Sequence, residues 1–285
     1  MISVRPLQCD GGTLAHYTRL FSRCFPRARG FSAAYLDWLY RQNPDGEAIG
    51  FDAWDGDQLA AHYACVPSPA ALTGRAVKGL VSLNTATDPK YQGQGLFTRL
   101  AQLTYQAAAE AGVDCVVGVA NASSTEGFVR KLGFQQVQAL DVRVGIGSLE
   151  IDWTQAASRL QFSRNWTDEA LAWRCASPRN TVFARQHQDL AQFHAVAQGM
   201  VLPVYAELPM RHLPRPAEPQ KTRLSPLRLF IGLVPEGACQ FRRYASIPHR
   251  LRPSPLNFIY RSLTGSQQLL EPGTVGFSFL DFDAY

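Results

Sequence analysis

The sequence predicts an α/β (α+β) chain in which helices alternate with strands, followed by a second, smaller lobe. A glycine-rich stretch, Gln92-Gly93-Gln94-Gly95-Leu96-Phe97, joins a strand-like run over 80–87 to a helix-like run that begins at Leu96. Up to Ile146 the apolar residues switch repeatedly between helical spacing and strand-like alternation. From about Ile151 the pattern changes, and parts of it echo the first half.

The elements follow in order. The chain opens directly into a strand over 2–7, with Asp10 just after it. Leu14, Tyr17, Leu20, Phe21 and Cys24 share one helical face and predict a helix over 13–25. Ser32 is a cap for a second helix that runs to Tyr40 and stops before Pro44. Residues 51–66 predict a hairpin turning at Asp55-Gly56, and 75–87 the next strand. Leu96, Phe97, Leu100, Leu103, Ala107 and Ala111 form one stripe of a helix ended by Gly112. A short buried strand over 113–119 follows, then a helix with a Ser123/Glu126 capping box that ends at Gly133, then strands over 134–146.

The second half carries strand patterns at 200–207, 227–233, 238–247, 256–262 and 275–282, and no glycine-rich strand-to-helix turn. A Pro-rich, basic stretch over 208–226 reads as a long exposed connection. Leu171-Ala172-Trp173 followed by Pro178 resembles Leu36-Asp37-Trp38 followed by Pro44, and each sits on a short helix that leads into strands. The two readings are a weak internal repeat and a coincidence between two amphipathic helices. The expected division is a domain over 1–148 and a smaller one over 149–285.

A glycine-rich turn entering a helix frees backbone N–H groups that favour an anion, and the helix dipole adds to this. A P-loop would need Lys-Ser/Thr where Leu96-Phe97 stands, and a dinucleotide fingerprint would need a third glycine at Thr98. What remains, Pro89-Lys90-Tyr91-Gln92-Gly93-Gln94-Gly95-Leu96-Phe97, resembles the acyl-CoA loop of the GNAT superfamily of N-acyltransferases, except that Phe97 replaces a small residue. The resemblance extends to Ile2-Ser3-Val4-Arg5-Pro6-Leu7, to Asn121-Ala122-Ser123-Ser124, and to Phe128 and Lys131-Leu132-Gly133-Phe134, in family order. The Gly-Leu-Phe variant is similar to a branch with large tandem members, some linked to surface-polysaccharide or antibiotic modification. The resemblance implies a central mixed, mostly antiparallel sheet flanked by helices, and a second lobe that is a degenerate, CoA-free copy.

It also implies residue roles. Acetyl-CoA or another acyl-CoA is the implied co-substrate, with no metal. Its pantetheine pairs with backbone near Ala86 and Thr87. Its pyrophosphate sits on Gln92, Gly93, Gln94, Gly95, Leu96 and Phe97. Asn121 reaches the pantetheine arm, assisted by Ser124; the alternative is that Asn121 is a strand-ending turn residue and that Ser123 or Ser124 caps the helix. Many family members place a proton-donating Tyr on this helix. Counting back from Phe134 puts that position at Val129, and counting forward from Asn121 puts it at Phe128; neither gives a proton. Catalytic candidates are therefore Asn84, which with Ser82 could orient an amine, His62 as a candidate base, since histidine is the usual proton acceptor of that kind, and Tyr285, since some tandem members bring the chain terminus into the site. Asp281 and Asp283 stand near that end.

Charge and cysteines narrow the classes. A formal charge of +5 and a sequence pI near 9.0 suit an anionic ligand, and the arginines are scattered without the aromatic interleaving of a nucleic-acid groove. Six dispersed cysteines show no C-x-x-C pair, which fits a reducing cytoplasm. No charged leader with an apolar core begins the chain, and no run approaches the ~18 apolar residues of a membrane span. The expected partner is a small-molecule amine, not nucleic acid or membrane. The alternatives are a non-catalytic CoA sensor or scaffold and an aminoacyl-tRNA-dependent transferase.

Overall fold

Helix caps and hairpin turns set the first half of the chain. A computed structural model describes residues 1–28, 30–196, 202–210, 213, 225–248, 250, 252, 254–265 and 268–282. The order is β1 (Ile2–Pro6), α1 (Gly11–Cys24), α2 (Ala33–Tyr40), β2 (Ile49–Asp55), β3 (Gln58–Pro67), β4 (Ala70–Leu72), β5 (Arg75–Val77), β6 (Gly79–Thr87), α3 (Leu96–Glu110), β7 (Cys115–Asn121), α4 (Ala122–Glu126), β8 (Gln135–Ala139) and β9 (Asp141–Ile146). Asp10 caps α1 by accepting from the Thr13 N–H, and Ser32 caps α2 by accepting from the Tyr35 N–H. Gly56 turns the β2–β3 hairpin at φ +58°, a left-handed conformation that costs glycine little.

The second half continues with α5 (Trp153–Arg159), β10 (Phe162–Arg164), α6 (Asp168–Cys175), β11 (Phe183–His187), β12 (Leu190–Val196), β13 (Pro203–Leu208), β14 (Leu227–Leu233), β15 (Tyr244–Ser246), β16 (Leu256–Ser262) and β17 (Val275–Ser278). The connection expected over 208–226 falls mostly outside the described residues. The strand expected over 238–247 shrinks to β15. The one expected over 275–282 stops at Ser278, where Ser278 and Asp281 form a capping box around a 3₁₀ turn.

Two sheets result, and both are mixed. One has seven strands in the order β1-β2-β3-β6-β7-β16-β8. Within it β6 and β7 run parallel and the other neighbours antiparallel. α1 and α2 bury Leu14, Tyr17, Phe21 and Leu36 against one face of it. α3 buries Leu96, Leu100, Ala101 and Tyr105 against the other. The other sheet has ten strands, among them β11-β12-β13-β14, with β13 and β14 parallel. The single strand expected over 75–87 is two, because β5 pairs β4 in the second sheet before β6 enters the first.

The halves exchange strands. β16 pairs β7 and β8 in the first sheet, while β9 pairs β14 and β15 in the second. Mapping β7 onto β14, β8 onto β15 and β9 onto β16 makes the exchange reciprocal. Between the halves, Trp38 and Trp173 stack with ring centroids 4.4 Å apart, and each indole N–H donates to the other residue's carbonyl at 3.1 Å. The pair repeated in the sequence therefore meets across a local two-fold. One apolar cluster runs through both halves, joining Val117, Val137 and Phe258 to Phe193, Leu229 and Phe277.

Candidate active site

Strand pairing opens the cleft. β6 and β7 are hydrogen-bonded from Gly79–Cys115 to Ser82–Gly118 and no further. Asn84 lies just past that point with φ +48°, a left-handed conformation that Asn tolerates better than most side chains. It forms a bulge, since the register of β6 against β3 shifts between His62 and Ala64. The cleft between the splayed strands holds about 1010 Å³; Ser82, Leu83, Asn84 and Thr85 line one side, and Val119, Asn121, Ser124 and Phe128 the other. From Leu83 onward β6 has no strand on its β7 side among the described residues, so its edge there is open to an extended ligand.

The glycine-rich turn continues from this edge. Gly93 and Gly95 adopt φ +78° and +72°, and Gly95 is the cap residue of α3, with no side-chain cap and no acidic residue in the first turn. The first-turn N–H groups of a helix have no intrahelical acceptors, and a helix start of this kind is a favourable place for an anion. Gln92 turns back to donate to the Thr87 carbonyl at 3.4 Å. Ahead of the turn, Asp88 is buried, accepts from the Lys90 N–H and pairs with Arg23 at 2.6 Å.

Of the residues expected here, Asn84, Phe97, Asn121 and Ser124 meet in the cleft. Ala86 is buried and its side chain packs with α1 and α2, away from it. Asn121 Oδ1 accepts from the Ser123 and Ser124 N–H groups at 3.1 and 3.0 Å, and Ser124 Oγ accepts from the Asn121 N–H. The capping box is thus Asn121/Ser124, not Ser123/Glu126; Glu126 instead pairs with Arg130. Tyr285 and Asp283 lie outside the described residues. Asp281 is buried against Ser278, and burial pushes its carboxyl up.

The missing tyrosine position resolves. Gly127–Lys131 is a π-helical turn, which accommodates one extra residue. The two counts differ by one residue for that reason, and it is Phe128, packed on Phe97 and Phe134, that lines the cleft.

His62 is not a base open to the cleft. It is 1% exposed, with Nδ1 2.7 Å from Asp52 Oδ1 and Nε2 2.9 Å from the Tyr40 hydroxyl. Tyr40 in turn accepts from Asn84 Nδ2 at 3.0 Å, and Tyr17 donates to Asp52 Oδ2 at 2.6 Å. A buried chain Asp52–His62–Tyr40 thus ends on Asn84 at the cleft wall. With Nδ1–H given to Asp52, Nε2 is left to accept from Tyr40, which fixes the sense of the chain. Below Ser82 lies a second cluster, with Tyr63 2.7 Å from Ser82 Oγ and hydrogen-bonded to Tyr105. Burial holds both phenols well above their ordinary range, so they stay protonated. Sequence reasoning missed Asp52, Tyr40 and Tyr63; the one available signal was Asp52, a carboxyl set between Phe51 and Ala53 in a strand of the hairpin.

Among the described residues, no group of His, Cys, Asp and Glu is placed to hold a metal ion, and no helix is long and apolar enough to cross a membrane. The cysteines are all unpaired.

Comparison with known proteins adds a family match over the first half. Residues 4–137 match the family model described as "Acetyltransferase (GNAT) domain". A GCN5-related N-acetyltransferase from Anabaena variabilis superposes with a TM-score of 0.60 at 12% identity, covering 92% of this chain and 73% of that one. Eis1 from Mycobacterium abscessus superposes at 0.55 and 12% identity, covering 92% and 74%. No curated protein sequence matches the chain.

Proposed function

We propose, from the premise that this chain belongs to the GNAT acetyltransferases, that it transfers an acyl group, acetyl by default, from acyl-CoA to a small amine. The family supplies the reaction with acyl-CoA. The observation that carries the acceptor reading is the buried chain Asp52–His62–Tyr40 ending on Asn84 beside the strand splay. The amine nitrogen attacks the thioester carbonyl, the C–S bond breaks, and the amine's proton ends on the departing thiol. The Gln92–Phe97 turn holds the pyrophosphate and the open β6 edge near Ala86 and Thr87 holds the pantetheine, with Asn121 and Ser124 facing it across the cleft. Asn84 gives its amide N–H to Tyr40, which leaves Oδ1 to accept from the amine and aim its lone pair. His62 is then a positioning residue.

An amino sugar or antibiotic-like amine fits the Gly-Leu-Phe branch resemblance, and this part rests on analogy alone. The 1–148 portion carries the co-substrate site and the 149–285 portion shapes the acceptor side, since Phe282 and Arg179 line the same cleft. Tyr285 follows Phe282 by three residues and stays a catalytic candidate on that ground. Phe128 and Val129, where a tyrosine is usual, favour the competing reading of a CoA-binding module without turnover.

The test measures CoA affinity by calorimetry and thioester consumption across an amine panel, for the natural chain and for Gly95→Asp. The substitution puts a carboxylate at a helix N-terminus and strains a left-handed backbone, at about 1–2 kcal/mol for the strain alone. CoA affinity is expected to fall at least tenfold with the fold retained. Unchanged affinity sinks the cradle; intact affinity in the natural chain with no amine consumed establishes the sensor instead.

A further inference from the structure

The second half contains a cavity of about 350 Å³ with no part in the proposed reaction. It lies between the diverging ends of β13 and β14, which run parallel but pair only at Val204–Leu229. The acyl-CoA cleft lies between the diverging ends of β6 and β7, which also run parallel. The reciprocal exchange of β9 and β16 maps β7 onto β14, and so places the cavity where the repeat places the cleft. A crevice beyond the carboxyl ends of parallel strands is a recurrent ligand position.

The chemistry differs from that of the cleft. Leu149, Ile151, Phe230, Leu233 and Phe277 make most of the wall apolar; Arg164 also lines it, paired with Asp45 at 2.8 Å and with its buried Nε unpartnered among the described residues. Beyond β13 the chain continues into Pro209, which has no N–H, and residues 208–226 contain no glycine, so the sequence there has no counterpart of the Gln92–Phe97 stretch. Glu207 lines the cavity and is 4% exposed. Its Oε1 accepts from the Tyr205 hydroxyl at 2.5 Å and from the Leu149 N–H at 3.3 Å, whereas Oε2 is buried without a hydrogen-bond partner among the described residues. The Trp153 indole N–H, also at the cavity, is buried and unpartnered in the same way. Buried polar atoms are almost always satisfied, and those left unsatisfied in a concave apolar space point to a ligand.

We infer that this cavity is a second ligand site, for a compact apolar molecule of about two fused rings that donates a hydrogen bond to Glu207 and accepts one from Trp153. A hydroxyl supplies both. CoA and nucleotides are excluded by size and by the absence of a counterpart of the Gln92–Phe97 stretch. The site does not depend on the proposed reaction.

The probe is 2-naphthol, titrated into the full chain by calorimetry, with naphthalene as the control that lacks a donor and acceptor. Binding is expected to be saturable at one site, unaffected by saturating CoA, and several-fold tighter than that of naphthalene. Ala157→Trp, at an exposed cavity-lining position on α5, is expected to weaken it at least tenfold by filling the space, with CoA affinity and thermal midpoint unchanged. Glu207→Gln is expected to weaken it about tenfold, the scale of one hydrogen bond to a charged or polar partner; if that variant misfolds, Ala157→Trp decides alone. Absence of saturable binding overturns the proposal, as does binding that survives Ala157→Trp, or naphthalene binding as tightly as 2-naphthol. Failure of CoA to bind would count against the acetyltransferase reading and leave the Ala157→Trp comparison intact.

Discussion

Asn84 combines two constraints in one residue. Its left-handed backbone makes the bulge that ends β6–β7 pairing, and its side chain ends the hydrogen-bond chain from Asp52. Asn84→Gly keeps the backbone conformation at no steric cost and removes only the amide. It is expected to leave CoA affinity within about threefold and to lower kcat/KM for the amine about tenfold, as loss of one transition-state hydrogen bond would. Calorimetry with CoA and steady-state kinetics on one preparation check both arms, and an equal loss of CoA affinity would make the role structural. Phe128 is the matching residue across the cleft. Phe128→Tyr places a phenol where Val129→Tyr does not, and only the former is expected to raise turnover, by several-fold or more, because a positioned acid assists thiolate departure. Equal rates in both variants and the natural chain would show that this departure does not limit turnover.

At the scale of elements, α4 and β12 show how local rules fail and succeed. The α4 segment has its cap at Asn121 because the strand ends there and the first N–H groups need an acceptor; the π turn then shifts which side chains face the cleft. β12 carries His194, 7% exposed, with Nδ1 unpartnered among the described residues and the ring stacked on Phe183. Burial, followed by the charges of Arg228 and Arg185, pushes this imidazole down to about 4. The unfolded chain, with an ordinary value near 6.5, binds the proton first as pH falls. Stability is therefore full above about pH 6.5, falls as pH drops toward about 4, and loses about 2 kcal/mol between about pH 7 and about pH 5. Denaturant unfolding at the two pH values should show that loss, and His194→Phe should reduce it by the same amount. An equal pH dependence in the variant would place the titration elsewhere.

The whole molecule is held together by exchange rather than by a linker. β16 lies between β7 and β8 and buries Phe258, Ile259 and Tyr260, so residues 1–148 lack the strand that separates two of their own. An isolated 1–148 fragment is expected to show the exposed apolar surface and weak near-UV signal of an incompletely packed chain. Adding the 149–285 fragment should restore cooperative unfolding, as circular dichroism of the fragments alone and mixed would show. A fragment that folds by itself with natural stability would mean the exchanged strand is dispensable.

The helices α1, α2 and α3, the β2–β3 hairpin and β16 itself were legible because each carries its own periodicity, cap or turn glycine, and such signals act within a few residues. The glycine-rich turn was legible for the same reason, since Gly93 and Gly95 stand where the backbone needs a left-handed conformation. The Leu-x-Trp echo was visible, but not that Trp38 and Trp173 would meet. Which sheet receives β5, β9 and β16 is decided by apolar burial between segments eighty or more residues apart, and alternation looks the same in either sheet. His62 shows the same division at the site: its identity suggested a base, and only the packing of β2, β3 and α2 showed both ring nitrogens already engaged and Asn84 left to face the cleft.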